Sequence, residues 1–334
     1  MGVDVKKYKY TGRNKSKFKL DDYPTDAGVG KEEQAHYREL TAQHTAKIEE
    51  LQDKLYAAAE EGVIIALQAM DAAGKDSTIK HVMSGVNPQG VKVTSFKGPN
   101  STELAHDYMW RIYDALPMRG YMGIFNRSHY EDVLVVRVHD LWKNYKMPAR
   151  CKDMTREEFF EKRYAAIRAW EEHMYNNGYR VLKIFLHESK DTQRDRFMAR
   201  IEEPTKNWKF SDSDLKERAL WDDYMEAYEE AIRATATPHS PWYILPADRK
   251  WMTQYLTSCA ILDLLEEIDP QYPEMPENQE EVLQAARAEL IKQGAKTAEE
   301  EAAEKAAKAG KKAKKADKTA KADKKDKKKK KGKK

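Results

Sequence analysis

Cysteine is nearly absent from this chain of 334 residues: Cys151 and Cys259 are the only two, far apart and without a Cys-x-x-Cys partner. That excludes a disulfide framework and a cysteine-based zinc site, and it suits a reducing, cytoplasmic compartment. Long apolar runs are missing as well; none approaches the roughly 18 residues a membrane-spanning helix needs. The N-terminal MGVDVKKYKYTGRNKSKFKL has no apolar stretch, so no secretory signal is expected. Gly2 invites N-myristoylation, but position six is lysine rather than serine or threonine. The histidines are scattered without a His-x-x-x-His pair, which argues against a histidine metal centre. A Gly-x-Ser-x-Gly elbow and a Gly-rich dinucleotide fingerprint are both lacking, which removes the usual signatures of serine hydrolases and nicotinamide enzymes.

Charge is present in quantity but unevenly placed. The formal total is +4, yet residues 301–334 hold seventeen Lys against five acidic residues, a local +12, which leaves about −8 on residues 1–300. The basicity therefore belongs to a tail and the body is acidic. Seven Trp and eighteen Tyr supply bulk for a sizeable core. Residues 1–30 form a basic arm in which Lys6, Lys7, Lys9, Arg13, Lys15, Lys17 and Lys19 are interleaved with Tyr and Phe. A solvated terminus and an arm that touches a polyanion are both open there. Beyond Tyr272 the composition shifts to Pro, then to a helical pattern over 280–293, then to an Ala/Lys/Asp tail with nothing apolar to bury, expected to be disordered. The expected organisation is thus an arm (1–30), a catalytic body (31–270) and an extension ending in the Lys-rich tail (271–334).

The stretch VIIALQAMDAAGKDST, residues 63–78, organises the body. An apolar, β-branched run turns through Asp71-Ala72-Ala73-Gly74-Lys75 and leaves as a helical pattern. A strand, a turn of small residues, a lysine and a helix start make a phosphate cradle. Helix N–H groups and the helix dipole favour an anion, and the lysine adds a mobile positive charge. Against the Walker A pattern G-x-x-x-x-G-K-[ST], Gly74 and Lys75 fit, while Ala69 and Asp76 stand at the first-glycine and Ser/Thr positions. An ordinary strand-turn-helix is the plain alternative, so the remaining segments must decide.

Further strands are expected over 91–96, 120–125, 180–187 and 241–246, with helices over 31–60, 101–116, 155–177 and 250–268 between them. Alternation of this kind predicts an α/β fold: a parallel sheet of about five strands flanked by helices on both faces. Ligands bind beyond the carboxyl ends of such strands. Three clusters lie at strand ends: Asp71/Lys75, Asn126/Arg127, and a charge-dense stretch after the fourth strand with Arg194, Arg196, Arg200, Lys206 and Lys209. Their convergence on one edge indicates phosphate handling.

Phosphoryl transfer needs positioned phosphates, a divalent metal and positive charge where negative charge develops. Ala72, Ala73, Gly74, Asp76, Ser77 and Lys80 are candidate phosphate contacts around Lys75. Asp71 suits Mg²⁺ binding or a turn brace; Asp76 suits a metal or the helix cap. Arg127 is a candidate catalytic residue or a structural ion pair. More than one of Arg194, Arg196 and Arg200 can share a helical face, which fits either a solvated face or a lid that brings charge on closure.

MDAAGKDSTIKHVMSGVNPQGVKVTSFKGP, followed by FNRSHYEDVLVVRVH, resembles the second family of polyphosphate kinases. RFMARIEEPTKNWKFSDSDLKER and WDDYMEAYEEAIRATATPHSPWYILPADRKW extend the likeness over roughly residues 10–269. The resemblance implies a P-loop kinase-like fold with a helical lid, about 189–235, and transfer of phosphate between inorganic polyphosphate and AMP, ADP or ATP with Mg²⁺ or Mn²⁺. It gives catalytic roles to Asp71, Lys75 and Arg127, a metal role to Asp71 and Asn126, and polyphosphate contacts to Arg194, Arg200, Lys206 and Lys209. Asn126 stands where many members carry Asp. Glu131 falls where members acting only on nucleoside diphosphates have Asn, so it implies AMP as an acceptor. Polyphosphate also needs a basic track over an acidic body, with Lys17, Lys19, Lys80 and Lys97 as candidates. A homo-oligomer and no membrane association are expected. Two alternatives remain at this stage: an ATP-dependent nucleoside monophosphate kinase of the same fold, and a protein that binds nucleic acid or other polyanions non-specifically through its tail.

Overall fold

In the computed structural model, residues 2–294 are described. Six strands make one sheet: β1 Lys9–Tyr10, β2 Gly62–Ala69, β3 Val91–Ser95, β4 Met122–Asn126, β5 Tyr179–His187 and β6 Trp242–Pro246. Their spatial order is β1-β6-β5-β2-β4-β3. All pairings are parallel except β1 on β6. All eight residues of β2 are buried, which is why its sequence is a continuous apolar run rather than an alternation. Register puts Leu67 of β2 opposite Asn126 of β4 and Ile184 of β5. The chain segments leaving β2, β4 and β5 therefore emerge side by side, at the point where strand order reverses.

Period-two alternation divides the core between the two faces. Val63, Ile65 and Leu67 pack with Ile48, Leu51 and Leu55 of α1 (Gln34–Ala58) and with Leu256, Ala260 and Leu265 of α7 (Lys250–Ile268). On the opposite face Phe185, Trp242 and Ile244 meet α3 (Arg156–Asn176) and α6 (Trp221–Thr235). Each fully buried leucine-sized side chain contributes roughly 1.5–3 kcal/mol. α3 starts on a capping box, with Thr155 and Glu158 satisfying each other's backbone N–H groups. Within this face Lys183 is fully buried, bonded to Glu171 at 2.6 Å and to the Thr235 carbonyl at 2.9 Å, so a charge pair ties β5 to α3 and α6.

Three expectations need correction. The sheet has six strands, because residues of the expected basic arm add β1. Val5, Tyr8, Tyr10, Phe18 and Leu20 are buried there, and the Tyr10 and Phe18 rings lie 4.3 Å apart. The aromatic interleaving thus marks core residues, and Lys19 pairs with Glu229 rather than standing free. The single helix expected over 101–116 is two short pieces, Ser101–Leu104 and Trp110–Asp114. Asp107 causes the break: its carboxylate accepts from the Met109 N–H and its carbonyl from the Trp110 N–H.

The cradle helix is α2 (Lys75–Val82). After β5 come α4 (Lys190–Glu202), a tight turn over Pro204–Lys209, and α5 (Asp212–Ala219). Pro204 cannot continue α4, and Asn207 closes its end by donating to the Arg200 and Ile201 carbonyls. One compact unit ends at Pro273, and α8 (Gln279–Gly294) belongs to a second. The Lys-rich tail expected to be disordered lies outside the described residues. Among the described residues no helix is long and apolar enough to cross a membrane.

Candidate active site

The cradle is a turn whose backbone conformations are selected residue by residue. Gly74 has φ +105°, and a Cβ there would meet nothing within 4 Å, so the glycine is required by conformation rather than by space. Ala72 is also left-handed, at φ 70°. α2 then begins at Lys75, and the N–H groups of its first turn have no intrahelical acceptor; Thr78 is the first to bond back, to the Gly74 carbonyl.

The carbonyls of this turn are all engaged. Lys75 Nζ donates to Ala69 O (2.9 Å) and Met70 O (3.2 Å). Gln193 Nε2 donates to Asp71 O (2.9 Å). Arg196 Nη1 donates to Ala72 O (3.1 Å) and Ala73 O (2.9 Å). The Lys75 ammonium lies beneath the loop, where burial and the neighbouring Arg127 charge lower its pKa while Asp71, Glu131 and Glu188 oppose the shift.

Arg127 follows β4 directly and holds a left-handed backbone, φ 62°, a conformation costing of order 1–3 kcal/mol for a non-glycine residue. Its guanidinium forks between two carboxylates, Nη2 to Asp71 Oδ1 at 2.6 Å and Nη1 to Glu131 Oε2 at 3.1 Å. Glu131 and then Asp71 raise its pKa, so it stays cationic. Glu131 is fixed from behind by buried Gln68. With its amide turned to satisfy both sides, Gln68 donates to Glu131 Oε1 (2.8 Å) and accepts from Ser128 Oγ (3.0 Å) and N (2.9 Å). Asn126 Nδ2 donates to Asp76 Oδ1 at 2.7 Å.

Two cavities meet at Arg127. One is a groove of about 350 Å³ whose lining includes Asp71, Ala72, Gly74, Lys75, Asp76, Ser77, Asn126, Arg200, Lys206 and Lys209. It carries seven basic side chains against two acidic ones. Ala73, Lys80 and Arg194 are not among its lining residues; Arg194 turns outward to pair with Asp191 and Asp195. Arg196 and Lys250 do line it. Burial and then the charges of Arg196, Lys206, Arg200 and Lys209 lower the pKa of Lys250. The second cavity, about 850 Å³, is walled largely by apolar groups such as Phe96, Leu104, Val135 and Val136, with Arg127, Glu131, Lys97 and Asp132 also on its lining. Asp132 is almost wholly buried; that burial raises its pKa, while Arg163 and the Tyr145 hydroxyl pull it back.

Residues 31–276 match the sequence model of the family described as Polyphosphate kinase 2 (PPK2). The chain belongs to the polyphosphate kinase 2 family. It is 48% identical over 258 residues to an ADP-polyphosphate phosphotransferase of Rhodopseudomonas palustris, covering 77% of this chain and 89% of that one. It is 43% identical over 269 residues to an AMP/ADP-polyphosphate phosphotransferase of Meiothermus ruber, covering 80% and 96%. The crystal structure of polyphosphate kinase 2 from Arthrobacter aurescens TC1 superimposes with a TM-score of 0.73 at 37% identity, over 83% of this chain and 94% of that one.

In this polyphosphate kinase 2 member the donor set of the groove fits a hard divalent cation. Asp71 and Asp76 both line it, each with one oxygen engaged, by Arg127 and by Asn126 respectively. Mg²⁺ is commonly held by one or two carboxylates with substrate phosphates and water completing the shell. Among the described residues no group of three His, Cys, Asp or Glu gathers as a protein-only cage.

Four parts of the site lacked a local sequence signature: Gln68, Gln193, Glu188 and Lys250. Glu188 follows β5, bonds Arg196 at 3.0 Å and is fully buried, which pushes its carboxyl up to about 8 although Arg196 and Lys75 both pull it down. Its position at the end of a buried strand beside the cradle is the one cue that could have found it.

Proposed function

We propose that this enzyme transfers the terminal phosphoryl group of inorganic polyphosphate to AMP and to ADP, giving ADP and ATP. The observation that carries the reading is Arg127, shared by a basic groove and an apolar cavity. A polyanion suits the first and a nucleoside suits the second. The names of the relatives agree with this pairing of substrates.

In the transfer, an oxygen of the acceptor's terminal phosphate forms a bond to the last phosphorus of the chain. The bridging P–O bond breaks, and the shortened chain leaves with the electron pair. No covalent enzyme intermediate is required, so catalysis is positioning and charge. Lys75 and the α2 N–H groups grip donor phosphates, and Arg200, Lys206, Lys209 and Lys250 neutralise the rest of the chain in the groove. Arg127 bridges donor and acceptor phosphates. Asp71 and Asp76 would hold Mg²⁺ or Mn²⁺, which supplies charge neutralisation at the transferring oxygens. Asn126 orients Asp76 through its amide, so its role toward the metal is indirect. Glu131 sets the position of Arg127 against the acceptor. The segment 189–235 serves as the lid.

Incubation with polyphosphate, Mg²⁺ and either AMP or ADP, with no ATP added, tests the proposal. ADP and ATP should appear. Phosphorylation of AMP only when ATP is supplied would favour a conventional nucleotide kinase instead.

A further inference from the structure

We infer that Gln193 and Arg196 of α4 are positioning residues that set the polarity of the cradle. The inference rests on the assignment of the groove to donor phosphate. A peptide turn presents carbonyls as readily as N–H groups, and a carbonyl aimed at the groove would repel an anion. Here five consecutive carbonyls, from Ala69 to Ala73, each accept from a side-chain donor. With those peptide planes fixed, the N–H groups at the start of α2 are left for the anion.

Lys75 holds two of the five carbonyls, but it is itself a phosphate ligand and cannot serve both purposes without rearrangement. The other three belong to α4. Arg196 is suited to a fixed brace rather than a mobile contact. Beyond Ala72 and Ala73 it bonds Glu188 at 3.0 Å, Ala247 O at 2.6 Å and Asp248 O at 3.2 Å. Its two terminal nitrogens are thus occupied by five acceptors anchored at the ends of β5, β2 and β6. Gln193 is 1% exposed, and its own oxygen accepts from Arg218 at 3.0 Å, which orients the donor end toward Asp71. Gln193 and Arg196, in the first two turns of α4, therefore build the anion seat, and the charge that reaches the anion comes from residues further along.

The test uses the full chain, tripolyphosphate as probe, and four variants. Lys75→Ala removes the grip itself. Gln193→Met keeps length and neutrality but loses the donor to Asp71 O. Arg218→Met removes the anchor of Gln193 together with a bond to the Lys190 carbonyl, and leaves every donor to the cradle in place. Arg196→Lys keeps the charge and cannot span the same acceptors. Freeing one buried carbonyl shifts an equilibrium on the order of tenfold, so Gln193→Met should weaken tripolyphosphate binding about tenfold. The same variant should raise the KM for polyphosphate and leave the KM for AMP unchanged. Arg218→Met should show a smaller change of the same kind, and Arg196→Lys a loss at least as large as that of Gln193→Met. A purely structural role would lower kcat with both KM values unmoved, and that result overturns the inference. Wild-type affinity in Gln193→Met and Arg196→Lys with loss in Lys75→Ala would also overturn it while the groove assignment stands. Wild-type affinity in Lys75→Ala would remove the groove assignment first.

Discussion

Replacing Arg127 by lysine probes the junction of the two cavities without removing its charge. The guanidinium reaches Asp71 at 2.6 Å and Glu131 at 3.1 Å at once. A lysine ammonium is a point charge on a flexible stem and cannot hold both carboxylates in that fork. One charge-assisted hydrogen bond, worth about 1.5–3 kcal/mol, is then lost from the fork that lies between the two cavities. At 1.36 kcal/mol per decade, kcat/KM for AMP should fall roughly 10- to 150-fold. Steady-state rates at saturating polyphosphate, followed by ADP formation, measure this, with a thermal melt to show that the variant is folded. The left-handed backbone at residue 127 is common to both side chains, so it cancels from the comparison. A folded Arg127→Lys enzyme within threefold of wild type would refute the bridging role and reduce Arg127 to an ion-pair partner of the cradle.

Other expectations follow from the same geometry. Glu131→Asn shortens the side chain that Gln68 and Arg127 hold, so AMP phosphorylation should fall more than ADP phosphorylation, read as the ratio of the two kcat/KM values; equal losses would contradict the acceptor role. Asp71→Asn removes a carboxylate from the groove, so Mn²⁺ binding followed by paramagnetic resonance in the presence of tripolyphosphate should weaken, and added Mg²⁺ should restore turnover only in part. Glu188 has a folded-state pKa of about 8 against an ordinary 4.5, so the native state retains a proton that the unfolded chain releases. Its stabilising contribution is complete below about 4.5 and is lost as pH rises through about 8. Relative to a Glu188→Gln variant, the wild-type Tm should therefore drop between pH 6 and pH 8, by roughly 2–4 °C per pH unit; a constant difference across that range would count against a buried, protonated Glu188.

The strands at the centre of the sheet were legible because burial on both faces leaves long apolar runs. Parallel topology then forces their carboxyl ends to one edge, so the meeting of Asp71, Lys75, Asn126 and Arg127 followed from element order alone. The hydrogen bonds that give each residue its task were not legible. Gln193 and Asp71 are 122 positions apart and Arg196 and Ala72 are 124 apart, and no spacing rule connects such pairs. In α4 the four-residue spacing puts Arg196 and Arg200 on one face and leaves Arg194, two positions from Arg196, on another, but it does not give the direction of either face. The structure sends Arg194 to solvent, Arg196 beneath the cradle and Arg200 to the groove. The N-terminal arm misled for a different reason. Its basic residues are conspicuous by number, whereas its buried Tyr8, Tyr10 and Phe18 become core only because β6 offers an open edge for β1.

One guanidinium serving two cavities has a thermodynamic consequence. In the free enzyme Arg127 is compensated by Asp71 on the side of the groove and by Glu131 on the side of the apolar cavity. A phosphate arriving in either cavity competes with one of these carboxylates and shifts the balance felt by the other. Occupancies of the two cavities are thereby linked. Whatever factor a bound polyphosphate imposes on the affinity for AMP, a bound AMP imposes the same factor on the affinity for polyphosphate.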